Sequence, residues 1–150
     1  MPVVTVADVL RHAEAFEANL AKFYQGIAEQ TERDGVRLLA DYMSRHRRRI
    51  AGALDKMPGV TVRRICCAPI RFEPQGADMK CFTGKELPPD ATAGDVLDMA
   101  IVFDECLIRL YRQVINQDVD PEVREMFESL LRMEERSEIE LKKMKALDYF

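Results

Sequence analysis

The sequence has no apolar run near the roughly 18 residues that a membrane-crossing helix requires. It has no excess of basic residues either: the net charge is -4 and the pI near 5.3, which argues against general nucleic-acid binding. The start, MPVVTVADVLRHAEAFE, lacks a basic segment followed by an apolar block, so no signal peptide is expected. Its four cysteines, Cys66, Cys67, Cys81 and Cys106, lack the spacing of a disulfide framework or a zinc ribbon. These absences lead to the expectation of a cytoplasmic protein with reduced thiols, without membrane or nucleic-acid partners. Proline and glycine are scarce outside one stretch. Five of the seven prolines fall between Pro58 and Pro89, together with Gly59, Gly76 and Gly84.

What the chain does have is strong helical patterning over 150 residues, enough for one domain with a single core. Thr5-Val-Ala-Asp8 reads as a capping box with Asp in place of the usual Glu. An apolar stripe at helical spacing follows: Val6, Leu10, Ala13, Phe16, Leu20, Phe23, Tyr24, Ile27. The polar segment at 29–35 allows a tight reversal. A second helix, about 36–57, is expected to bury Leu39, Tyr42, Met43, His46, Ile50, Ala53 and Leu54. Arg45, Arg47, Arg48 and Arg49 around His46 read as a solvated helix face. The irregular stretch at about 58–91 reads as a long crossover, with a short strand expected at 60–65. Thr92-Ala-Gly-Asp95 then repeats the capping signal, and Asp120-Pro121-Glu122 opens a fourth helix with Pro at its first position.

The two halves are related. Residues 13–24, AEAFEANLAKFY, return 87 positions later as AIVFDECLIRLY, so that Phe16 maps to Phe103, Glu17 to Asp104 and Tyr24 to Tyr111. Helices two and four align at an offset of 91, Met43 on Glu134 and His46 on Ser137. The expected fold is all-α: an antiparallel four-helix bundle of two related helix pairs joined by a long crossover. Glu17, His46, Asp104 and Glu134, one per helix, are expected to point into the bundle. Buried carboxylates must be neutralised, paired or metal-bound, and this oxygen-rich set with one imidazole suits iron or manganese, with zinc as an alternative.

The pattern resembles the ferritin-like superfamily, and most closely its rubrerythrin-like branch. The four helices of that family carry Glu, Glu-x-x-His, Glu and Glu-x-x-His around two metals. Glu17 matches the first Glu and Asp104 the third-helix Glu. Met43-Ser-Arg-His46 keeps only the His, and Glu134-Glu-Arg-Ser137 keeps only the Glu. Tyr24 and Tyr111 match tyrosines seven residues after the family's Glu ligands. The resemblance spans the four helices, and no rubredoxin-type pair of Cys-x-x-Cys motifs accompanies it. It implies a reduced core metal site with one or two iron ions or none, in iron or peroxide handling. It also implies assembly as a homodimer or larger homo-oligomer, with no electron donor specified. Two other functions stay open: a non-catalytic scaffold or interaction protein that has lost its di-iron site, and a thiol redox or binding module using Cys66, Cys67 and Cys81. Cys106 reads as a small buried residue in the third helix.

Overall fold

The computed structural model describes residues 3–57, 65–71 and 86–147. Its order is β1 (Val3–Thr5), α1 (Val6–Gln30), α2 (Asp34–Asp55), β2 (Pro69–Arg71), α3 (Ala93–Ile115) and α4 (Pro121–Leu147). α1 packs on α2 and α3 on α4 as antiparallel pairs, giving the four-helix bundle expected from the two-fold repeat. No helix among the described residues is long and apolar enough to cross a membrane.

Both capping boxes form. The Asp8 N–H donates to Thr5 Oγ1 at 3.2 Å, and the Thr5 N–H donates to Asp8 Oδ2 at 3.0 Å. The same reciprocal pair joins Thr92 and Asp95, at 3.2 and 2.9 Å. Each box satisfies two backbone donors that a helix start leaves unpaired, and the shorter Asp reaches as well as Glu would. Thr92→Ala should therefore cost about 1 kcal/mol. In a domain of this size that lowers the melting temperature by about 2 to 4 °C, readable by circular dichroism.

Arginines close the short links within each pair. In the first, Arg37 donates to the Thr31 carbonyl at 2.8 Å. In the second, Arg124 donates to the carbonyls of Ile115 and Gln117, the latter at 2.9 Å. The repeat is visible in the core, where the equivalent residues Phe16 and Phe103 meet edge to face at 6.4 Å.

The crossover is expected to be irregular. Its described part folds back on the start of the chain: β2 pairs antiparallel with β1, Val4 opposite Ile70 and Thr5 opposite Pro69. The sequence reading did not place a strand at either position. The strand expected at 60–65 lies outside the described residues except for Ile65, which is buried. Cys81 is also outside them. Cys106 is buried, as expected, but it is disulfide-bonded, which corrects the expectation of four reduced thiols. Cys66 and Cys67 are not joined to each other, their sulfurs lying 3.5 Å apart.

Candidate functional site

At the centre of the bundle α1, α3 and α4 each bury one carboxylate completely: Glu17, Asp104 and Glu134. The helix phase puts them there. Glu17 falls between Ala13 and Leu20 on the apolar stripe of α1. Asp104 falls between Ala100 and Leu107 on α3, and Glu134 between Leu130 and Leu141 on α4. The fourth member of the cluster, from α2, is Arg47.

Arg47 is fully buried and is the largest such side chain in the core. Its Nη1 donates to both carboxylate oxygens of Glu17, at 3.1 and 3.0 Å. The same nitrogen reaches both oxygens of Glu134, at 3.3 and 3.2 Å. Its Nη2 donates to Asp104 Oδ1. One guanidinium thus pairs with all three carboxylates, which its planar, forked donors suit better than a single ammonium would. Burial works against the charge of Arg47, but Glu17, Glu134 and Asp104 outweigh it and keep the group protonated.

Helical phase explains why it is Arg47. At 3.6 residues per turn, residue 47 projects within about 20° of Val36, Leu54 and the centre of the buried stripe, while residue 46 lies about 80° away. The buried positions of α2 are Val36, Leu39, Ala40, Met43, Ser44, Arg47, Ile50 and Leu54, a regular three-four spacing that includes the arginine. Two expectations are corrected here. Arg47 does not belong to a solvated arginine face, and His46 does not join the three carboxylates. His46 is only partly buried and lies parallel to the Tyr42 ring, with centroids 6.2 Å apart. The two line a groove of about 240 Å³ between α2 and α4, with Met43, Met133, Ser137 and Leu141. Burial, then the charges of Arg47 and Arg49, lower the pKa of His46 and favour its neutral form. Tyr42, expected inside, is largely exposed.

The cluster carries three carboxylates against one guanidinium. A low-dielectric interior tolerates net charge poorly, so protons supply the balance. Burial raises the Asp104 carboxyl to about 7 against the opposing pull of Arg47, while Ser137 favours its charged form. Burial likewise raises Glu134 to about 8, and it raises Glu17 as well. Glu17 and Glu134 are near enough to share a proton. Two retained protons would leave Arg47 and one carboxylate as a neutral pair. Around this centre, the hydroxyls of Tyr24 and Tyr111, Arg47 Nε and Asp104 Oδ2 are buried without a hydrogen-bond partner among the described residues. Burial pushes both tyrosines upward, so they stay neutral phenols.

A crystal structure from Thermotoga maritima, described as a ferritin-like diiron-carboxylate protein, aligns with this chain at a TM-score of 0.62. The alignment covers 97% of each chain at 18% sequence identity. The fold is ferritin-like. No protein-family model matches the sequence, and no curated protein does. On a ferritin-like fold the cluster occupies the centre where such bundles place their metals. The residues here do not fit a metal. Arg47 already donates to the oxygens a metal would need, and it sets a permanent positive charge among them. Met43 offers a thioether, a poor donor to a hard ion, and His46 lies outside the cluster. Among the described residues no group of three or more His, Cys, Asp or Glu is disposed to hold a metal ion.

Proposed function

We propose that this protein is a non-catalytic ferritin-like scaffold whose core counter-charge is the Arg47 guanidinium instead of a metal pair. The observation that carries this reading is the contact of one fully buried arginine with Glu17, Asp104 and Glu134 together. The diiron-carboxylate description of the Thermotoga protein supports a shared architecture; the exchange of cation argues against carrying its metal chemistry over. In place of a redox centre, the bundle has a cross-linked polar core that fixes the register of all four helices, a use well attested for buried polar groups. Its function then lies on its surfaces, as a binding or interaction protein that self-associates through helix faces.

The competing reading is a reduced iron, manganese or zinc site using Glu17, His46, Asp104 and Glu134. Metal titration separates the two. A ligand that binds only the folded state adds about 2.7 kcal/mol at a hundred times its Kd. That would raise the melting temperature by about 5 to 11 °C. We expect no such rise with ferrous iron, manganese or zinc, and no stoichiometric metal in protein purified without chelator. A metal-dependent rise that Glu17→Ala abolishes would overturn the scaffold reading.

A further inference from the structure

The groove between α2 and α4 is the opposite of the core cluster in its donors. The centre offers hard carboxylate oxygens already held by Arg47. The groove offers soft, neutral groups: the thioethers of Met43 and Met133 and the imidazole of His46. Met43 and His46 stand three positions apart on α2, a spacing that puts two side chains on one helix face. Met133 comes from α4 at the same level. The residues that follow His46 and Met133 are Arg47 and Glu134, which meet at 3.2 Å across the core and so fix the two helices in register there. The buried cluster thus positions the donors of the groove without belonging to it.

Methionine is ordinarily flexible core filler. Here Met43 is 2% exposed and also lines the base of the groove, so its thioether faces open space as well as core. The ring of His46 lies within 4° of parallel to that of Tyr42. Burial and the charges of Arg47 and Arg49 favour its neutral form, which offers a nitrogen lone pair. Arg136 and Glu140 also line the groove, both exposed and opposite in charge. The volume of about 240 Å³ exceeds that of a single water, about 30 Å³. An ion and an exogenous donor fit without repacking the core.

We propose that Met43, His46 and Met133 form a site for one soft monovalent metal ion of the Cu(I) type. The donors select the class. Thioether sulfur suits Cu(I), whereas hard divalent ions take carboxylate, carbonyl and water. Zinc takes thiolate, imidazole or carboxylate. A single positive charge also meets half the repulsion from Arg47 and Arg49 that a divalent ion would. Coordination changes no oxidation state and releases no proton, because all three donors are neutral. Met144 lines the same groove but lies far along α4 from Met133, about 16 Å of helix axis, beyond the reach of the same ion. The site uses none of Glu17, Asp104 and Glu134, so it stands or falls apart from the scaffold reading.

Ag(I) is the probe, because it shares the charge and closed shell of Cu(I) and resists oxidation. It is added as the nitrate, without chloride, to the full chain with its thiols blocked by N-ethylmaleimide and its methionine methyls isotope-labelled. Nuclear magnetic resonance should show saturation at one ion per chain. The methyl signals of Met43 and Met133 and the ring signals of His46, one of only two histidines, should shift, and the Met144 methyl should not. Met43→Leu and Met133→Leu conserve volume, and His46→Phe keeps a ring against Tyr42. Each should weaken silver binding at least about tenfold, as losing one arm of a multidentate contact does, while Met144→Leu should leave it unchanged. Silver that shifts none of the three donors, or that binds all three variants as well as the parent, would overturn the site. Zinc bound there as tightly as silver would overturn the class of ion.

Discussion

Arg47→Met should lower the melting temperature at pH 7 by about 6 to 20 °C. Removing one partner of a buried ion cluster costs about 3 to 5 kcal/mol, and a domain of this size loses about 2 to 4 °C per kcal/mol. The cost can be reached independently. Without the guanidinium the last ionised member of Glu17, Asp104 and Glu134 must also take a proton. Holding a proton on an ordinary carboxyl at pH 7 costs about 1.4 kcal/mol for each pH unit above its usual value near 4, or about 4 kcal/mol. The penalty should accordingly shrink as the pH is lowered toward 5. Arg47→Lys, which keeps the charge and loses the fork, should fall between the variant and the parent. The same Arg47→Met change frees the carboxylate oxygens, so added divalent metal should recover part of the loss in the variant and none in the parent. Thermal unfolding with and without metal checks both. Parent-like stability in Arg47→Met would mean that the buried cluster contributes nothing to folding.

The second large effect is on pH. Asp104 and Glu134 are raised in the folded state, to about 7 and about 8, above the ordinary carboxyl values they regain on unfolding. Between those limits the folded protein holds protons that the unfolded chain has released. Stability therefore falls as the pH rises. The contribution is complete below about pH 4 and is lost as the pH climbs through 7 and 8. Each carboxyl adds a slope of up to about 1.4 kcal/mol per pH unit, or about 3 to 6 °C in melting temperature. The protein should thus be more stable at pH 6 than at pH 8. A paired carboxylate with a lowered pKa would have the opposite slope. The double variant Asp104→Asn, Glu134→Gln should flatten the profile. An unchanged profile in that variant would place the titrating groups elsewhere.

The bundle was legible because its evidence is periodic and local: two capping boxes, two apolar stripes repeated 87 positions apart, and a proline at the first turn of α4. The three carboxylates were legible for the same reason, since each sits inside a stripe. Arg47 was missed because arginine is rarely buried unless paired, and the family motif drew attention to His46. The signal was nevertheless present in the phase of α2, where position 47 continues the spacing of Ala40, Met43 and Leu54 and position 46 does not. The β1–β2 pairing had no such signal. It depends on contacts between residues more than 60 positions apart, in segments only three residues long. The disulfide of Cys106 was hidden for a related reason, because isolated spacing does not identify a partner.

The arginine at the centre also changes when the core becomes complete. A bundle organised by metal ions is finished only after loading, and its stability follows the ion's concentration by mass action. Here the counter-ion is part of the polypeptide, delivered by the α1–α2 hairpin as it packs. It cannot be chelated, exchanged for a competing ion or lost by dilution. On the scaffold reading proposed above there is no apo state to pass through, and the supply of the central cation is settled at translation.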